Sequence, residues 1–391
     1  MARVFWLLWL LSFALEARPL LVISIDGLDH RYLRDADKLG LKIPNLRKLI
    51  DGGEWADKGV IGVWPTVTFP SHTTLVTGVR PDQHGIVNNN TAAGERYFFA
   101  SYLKAPTLWD VAFKAGLKTG AVQWPVTVGA KTLTWDFPEY FQRRKGAAMD
   151  WASAAEKATP GLVEKMIARF PSMPQEWVDD RVRTLATIYL LKYEKPDLVL
   201  LHLIDHDGEA HYTGPFSMHA KAILEYQDEL LGQILSARPA EMAVALVSDH
   251  GFERVDEVRN LQAAMKTAGV TGEVKVGGPL VTTEDAGVAE YMRRSDLVTE
   301  IPAAEWKRFR PNVAAPLAAF QPKPHLQFAR AADALLSAKP DEPGTHGYWP
   351  MREDYHSTLI LWGPGVKAGR LGEVDMLTIA PRLAAILGIK F

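Results

Sequence analysis

Leu20-Leu21-Val22-Ile23-Ser24-Ile25-Asp26-Gly27 is an apolar, largely β-branched run that stops at an acid and a glycine. A near-continuous apolar run of this length marks a strand buried on both faces, and the Asp-Gly pair marks the turn after it. The design returns twice. Leu198 to Ile204 runs into Asp205-His206-Asp207-Gly208, and Met242 to Val247 runs into Ser248-Asp249-His250-Gly251. Segments with helical spacing lie between these runs: Ile43 to Ile50 around Pro44, Leu108 to Ala115 before Gly116, and Asp179 to Leu191 before Pro196. Alternating strands and helices predict an α/β fold with a mostly parallel central sheet and helices on both faces. In such sheets ligands bind outside the carboxyl ends of the strands, so the three acidic strand ends are expected to converge on one crevice.

Working outward, residues 129–181 and 253–344 carry more Pro, Trp and mixed charge with weaker periodicity, and read as inserts or a cap on a single catalytic domain, 18–391. Core character returns at the end, with Ser357 to Trp362 as a strand and Ile379 to Leu387 as a helix ending at Gly388. At the other end, Arg3 precedes an apolar run from Val4 to Leu15, followed by Glu16, Ala17, Arg18 and Pro19. That pattern reads as a signal peptide over residues 1–17, cut after Ala14 or Ala17, and implies export to a periplasmic or extracellular space. The run is short of the roughly 20 apolar residues that span a bilayer as a helix, so no stable membrane anchor is expected.

The 391 residues hold 44 basic and 46 acidic side chains, which leaves no global field to attract polymeric nucleic acid or an anionic membrane. An anionic substrate must therefore be held by a local site. With no cysteine, disulfides, thiolate metal sites and a cysteine nucleophile are excluded, and any metal must rest on His and carboxylate.

Asp207 and His211 are four residues apart, a spacing that can put carboxylate and imidazole on one side of a helical turn. Oxygen and nitrogen donors of this kind suit zinc. Asp249 and His250 are adjacent on a sharp turn where Gly251 permits close backbone approach. Taken singly, each of these, and Asp26 too, also reads as an ordinary cap. A third block, Pro65-Thr66-Val67-Thr68-Phe69-Pro70-Ser71-His72-Thr73-Thr74-Leu75-Val76-Thr77-Gly78, has Pro70 where a first helical turn favours it and Gly78 where a helix ends. Thr68 is then expected just before a helix N-terminus, where unpaired amides and the helix dipole favour an anion.

These blocks together resemble the nucleotide pyrophosphatase/phosphodiesterase family of the alkaline phosphatase superfamily. The likeness runs in order from Leu20 to the C-terminus, although only the motifs are close. The nucleophile block resembles Thr66 to Gly78, and His84-Gly85-Ile86-Val87-Asn88-Asn89 and Gly344-Thr345-His346-Gly347-Tyr348 resemble two further blocks. The resemblance implies an alkaline-phosphatase-like fold with Thr68 as nucleophile. It also implies one zinc held by Asp26, Asp249, His250 and Thr68, a second held by Asp207, His211 and His346, and Asn89 donating to the phosphoryl oxygen. The donor set leaves manganese open. Asp205 competes with Asp207, but only Asp207 keeps the four-residue spacing to His211. Ser71 and Thr73 stand where the family usually has Asn and Tyr. The other histidines, His72 and His202 among them, read as structural or surface residues, with His72 buttressing the helix start.

The resemblance further implies a small phosphodiester substrate, such as a nucleotide ester, and no protein partner. Phe69 matches a family position that contacts the base. Trp124 is a second substrate-binding position, or equally a core residue. The Ser-x-Lys-x-Arg element of threonine-type monoesterases is missing, and Arg143-Arg144-Lys145 reads as a solvated patch. Diester cleavage is therefore favoured. Alkaline phosphomonoesterase and phosphonate hydrolase stay open on the same site, and a non-catalytic exported metal-binding protein is the alternative from another class.

Overall fold

The first quoted run forms strand β1, Leu20–Ile25, every residue of which is buried. Seven further strands complete its sheet: β2 (Glu54–Trp55), β3 (Thr119–Val122), β4 (Trp135–Phe137), β5 (Leu198–Leu203), β6 (Ala243–Val247), β7 (Leu359–Trp362) and β8 (Gly369–Arg370), in the order β8-β2-β7-β6-β1-β5-β3-β4. This is a computed structural model, and it describes residues 18–142, 151–329 and 337–391. The leader read at 1–17 and the Arg143-Arg144-Lys145 patch lie outside the described residues.

Strands β6, β1, β5, β3 and β4 run parallel, and only β7 runs antiparallel to its neighbours β6 and β2. Alternate residues of β1 feed two cores. Leu21, Ile23 and Ile25 pack with the helices Pro44–Gly52, Asp180–Tyr189 and Met218–Ala237, whereas Leu20 and Val22 pack with Thr68–Thr77, Leu108–Lys114 and Ile379–Ile386. A strand with helices on both faces has no solvated side, which is why its sequence shows no polar alternation. The register pairs Ile25 with Leu203 and Ser24 with Val247, so the three acidic strand ends finish level at one edge of the sheet.

Residues 253–344 build a separate four-stranded sheet from Lys275–Gly277, Leu280–Thr283, Val298–Glu300 and Ala318–Pro322, with its own apolar cluster around Val281, Val288 and Phe320. The 129–181 segment differs from the expectation of an insert. Trp135–Phe137 is the edge strand of the main sheet, and Phe137, Trp151, Leu162 and Met166 join the main core. Its strand is only three residues long, too short to show a period. Among the described residues, no helix is long and apolar enough to cross a membrane.

The His84-Gly85-Ile86 block owes its fixed shape to a buried imidazole. His84 Nε2–H donates to Thr74 Oγ1 (3.1 Å), which donates on to the Val79 carbonyl, and His84 Nδ1 accepts the Ile86 N–H (3.2 Å). A proton on Nδ1 would break the last bond, and burial pulls His84 down from 6.5 to about 3. Because the folded pKa lies below the unfolded one, the unfolded chain binds the proton first as pH falls. Stability is therefore fully present above about pH 6.5 and is lost as pH falls toward 3, by up to about 1.4 kcal/mol per pH unit for this group. Urea midpoints between pH 7 and 4.5 should fall less steeply for His84→Gln than for the native chain. Equal slopes would show that His84 takes up its proton alike in the folded and unfolded states.

Candidate metal centre and active site

Each predicted ligand follows the carboxyl end of a strand or lies on a loop that folds over it. Asp26 follows β1 and donates its N–H to the Leu203 carbonyl. The helix Asp205–Thr213 starts one residue beyond β5, and its pitch brings Asp207 Oδ2 to 3.6 Å from His211 Nε2. Asp249 and His250 follow β6, where Asp249 Oδ1 accepts the Gly27 N–H and Oδ2 lies 3.0 Å from His250 Nε2. A Cβ on Gly251 would collide with the Tyr355 carbonyl, so only glycine permits this turn. His346 arrives from the far end of the chain, with Nε2 3.8 Å from Asp207 Oδ1 and its ring stacked at 3.8 Å on His250.

Two groups of donors result, Asp207, His211 and His346 in one and Asp26, Asp207 and His250 in the other, with the ligand atoms of each group within 4.8 Å of one another. Asp207 belongs to both. Asp205, its rival in the sequence, is held away by exchanging backbone hydrogen bonds with Asp180.

The chemistry of these donors fits cations. Asp26 Oδ1, Asp207 Oδ1, Asp249 Oδ2 and His250 Nε2 are buried without a hydrogen-bond partner, an arrangement that is costly unless a ligand completes it. The imidazoles are oriented alike. Nδ1–H of His211, His250 and His346 donates to the carbonyls of Gly344, Gly251 and Thr66, which turns each Nε2 lone pair toward the carboxylates. Burial, reinforced by the charges of Asp26 and Asp249, raises Asp207 well above the usual carboxylate range. Burial opposes charge on His250, yet the Asp249, Asp26 and Asp207 carboxylates lift it to about 10. Burial and the neighbouring His250 and His211 hold His346 well below the usual imidazole range. Positive charge is what this cluster of acids lacks.

Thr68 is the first residue of the buried helix Thr68–Thr77, one position later than expected, and Gly78 closes it in the left-handed conformation. The expected row of free amides is shortened there. Phe69 N–H donates to Asn89 Oδ1 (2.9 Å), Pro70 has no N–H, and Ser71 N–H donates to the Val67 carbonyl. The first of these bonds fixes Asn89 by its oxygen and leaves its amide nitrogen as the donor. His72 buttresses the helix start as anticipated, with Nδ1–H donating to the Thr68 carbonyl (2.9 Å) and Nε2 accepting from Ser24 Oγ (2.8 Å).

Sequence reasoning missed two groups. His202, left among the structural histidines, bonds Asp26 Oδ2 through Nε2 (2.9 Å), while its Nδ1 lies 3.4 Å from the buried Glu139. Burial opposes its charge, but these two acids raise it to about 9. The only sequence signal was its position as the next-to-last residue of a buried strand. Arg96 lies over the Phe69 ring, 4.6 Å from guanidinium carbon to ring centroid, and nothing in its local sequence marked it.

The type I phosphodiesterase / nucleotide pyrophosphatase family model matches residues 20–357. The chain belongs to that family. Among curated relatives, venom phosphodiesterase of Macrovipera lebetinus is 30% identical over 251 residues, covering 61% of this chain and 26% of its own. Human ectonucleotide pyrophosphatase/phosphodiesterase family member 1 is 26% identical over 255 residues, covering 61% and 24%. The chain thus spans about a quarter of the length of these relatives. In fold it is similar to human ectonucleotide pyrophosphatase/phosphodiesterase 5, at 18% identity and TM-score 0.66 over 95% of this chain and 96% of the other. It is similar too to an inactive threonine-to-alanine variant of the murine protein in complex with AMP, at 17% identity and TM-score 0.66 over the same shares. The expected alkaline-phosphatase-like α/β architecture is therefore the observed one.

Neither aromatic residue read as substrate-binding in this family member presents a free ring. Trp124 is wholly buried in the core, edge-on to His72, and Phe69 is wholly covered by Arg96, Phe98 and their neighbours. What opens beside the site instead is a cleft of about 690 Å³ that reaches His346. Trp64, Val67 and Val87 line it on the core side, and Leu280, Phe309 and Val313 on the side of the 253–344 segment.

Proposed function

We propose that this chain is a metal-dependent phosphodiesterase that cleaves phosphodiester or phosphoanhydride bonds through a covalent phospho-threonine on Thr68. The observation that carries the reading is the pair of donor groups sharing Asp207, with orphaned buried ligand atoms, at strand ends where His72 Nδ1 lies 2.9 Å from the Thr68 carbonyl and 3.5 Å from Asp249 Oδ2. Two zinc ions, or manganese on the same donors, would be held by Asp26, Asp249, His250 and Thr68 and by Asp207, His211 and His346, with Asp207 also within reach of the Asp26 and His250 donors, and would supply positive charge to the attacking and leaving oxygens.

The chain's own residues do the rest. Thr68 Oγ loses its proton and forms a bond to phosphorus as the bond to the leaving oxygen breaks. Water then attacks phosphorus, and Thr68 regains its hydroxyl. Asn89, fixed by the Phe69 amide, donates its side-chain N–H where charge develops on the phosphoryl oxygen. His72 and Ser24 hold the Thr68 backbone, and His202 holds Asp26, so the attacking atom and one ligand are oriented before substrate arrives. The cleft at His346 takes one of the groups esterified to phosphate. A nucleotide ester is the favoured substrate, given the names of the relatives and the AMP complex of the murine protein. The leader-like residues 1–17 support export, with 18–391 as one catalytic domain.

Hydrolysis of the 4-nitrophenyl ester of thymidine 5′-phosphate should exceed that of 4-nitrophenyl phosphate on zinc-loaded protein and should vanish in Thr68→Ala. Faster cleavage of the monoester would move the enzyme among the alkaline phosphatases. Loss of neither activity in Thr68→Ala would overturn the covalent mechanism.

A further inference from the structure

Arg96 stands on the return limb of the hairpin that begins at Asn89: Tyr97 N–H donates to the Asn89 carbonyl, and Asn90 bridges Arg96 across the ladder. The hairpin delivers the guanidinium into a slot between two rings, with its carbon 4.6 Å from the Phe69 centroid and 5.6 Å from that of Phe141. Phe69 is the residue after Thr68 and is itself tied to Asn89, so the cation sits against the backbone that carries the nucleophile. Its Nε is buried without a hydrogen-bond partner, and no described carboxylate makes a salt bridge to Arg96.

Aromatic faces can hold a guanidinium in place, but they leave its N–H groups to find acceptors elsewhere. A planar uncharged group could reach Phe69 only by displacing Arg96. An anionic group need displace nothing, since it can accept from the fork end-on while the rings fix the cation's direction. We infer that Arg96 determines specificity, pairing with negative charge on the substrate, on or beside the phosphoryl group that Thr68 attacks, beyond the single charge of a simple diester. This rests on the phosphoester reading above. It names a substrate class: phosphate esters that carry more than the single charge of a simple diester.

The test compares kcat/KM for three chromogenic esters on the zinc-loaded native chain, Arg96→Lys and Arg96→Ala. Bis(4-nitrophenyl) phosphate carries one charge, 4-nitrophenyl phosphate has its extra charge on the reacting phosphoryl group, and the 5′-(4-nitrophenyl phosphate) of thymidine 3′-phosphate has about two extra charges on the retained 3′-phosphate. The ratio of either more highly charged ester to the singly charged one should fall by at least about tenfold in Arg96→Ala and recover in part in Arg96→Lys. Which of the two charged esters responds tells where the charge lies. Ratios unchanged within about twofold, or an equal loss on all three, would overturn the inference and leave Arg96 as packing for Phe69.

Should the native chain cleave none of the three, the phosphoester reading fails, and calorimetric binding of inorganic phosphate decides the Arg96 question separately. A dissociation constant at least about tenfold weaker in Arg96→Ala upholds the charge pairing, and an unchanged constant overturns it.

Discussion

Thr68→Ala should lower turnover of a phosphodiester by at least about 10³-fold while leaving close to native the fold and the metal content, which Asp26, Asp249 and His250 still hold on that side. The loss is large because three neighbouring hydroxyls are already engaged. Thr66 Oγ1 donates to the Tyr348 carbonyl, Thr73 Oγ1 to the Phe69 carbonyl, and Ser24 Oγ is bonded to His72. The fold survives because Thr68 is the first residue of its helix, where alanine is tolerated, and the His72 contact uses the Thr68 carbonyl rather than its side chain. Activity assays with circular dichroism and metal analysis check both halves. Turnover within about tenfold of native would remove Thr68 from the chemistry.

Asp207→Asn should have the widest effect of any ligand change, because Asp207 alone belongs to both donor groups. Both groups should lose metal, whereas His211→Gln should deplete only its own. A cation at about 100 times its dissociation constant stabilises the native chain by about 2.7 kcal/mol, and that gain should shrink in Asp207→Asn. The metal-free protein should respond in the opposite sense. Burial first, and the charges of Asp26 and Asp249 after it, push the Asp207 pKa up, so an uncharged isostere suits the metal-free site, and Tm without metal should stay level or rise. Thermal unfolding with and without zinc, together with metal analysis, reads both signs. Full metal content at both groups in Asp207→Asn would sink the assignment of Asp207 as a shared ligand.

Much of this site was legible because the residues that make it stand beside buried strands. Runs such as Leu20 to Ile25 and Met242 to Val247 have no polar alternation, so their place in a two-sided sheet and the position of the acids after them follow from the sequence alone. The Asp207 and His211 pair was readable from its helical spacing. What stayed hidden has local physical causes. Trp135–Phe137 is too short to show a period, so the edge strand was taken for part of an insert. The helix start at Thr68 looked open to an anion because sequence does not show that Asn89, twenty residues on, takes the Phe69 N–H. His202 and Arg96 act through contacts with residues distant in sequence, Asp26 and Glu139 for the first and Phe69 and Phe141 for the second. No pattern within their own segments encodes those meetings.

The claim at the centre of the account is that phosphorus is transferred first to Thr68 and only then to water. The stereochemical course at phosphorus tests it most directly, using a chiral phosphorothioate diester hydrolysed in isotopically labelled water. Two in-line displacements, one by Thr68 and one by water, predict net retention of configuration. Net inversion would mean that water attacks the substrate directly, and the covalent role of Thr68 would be contradicted.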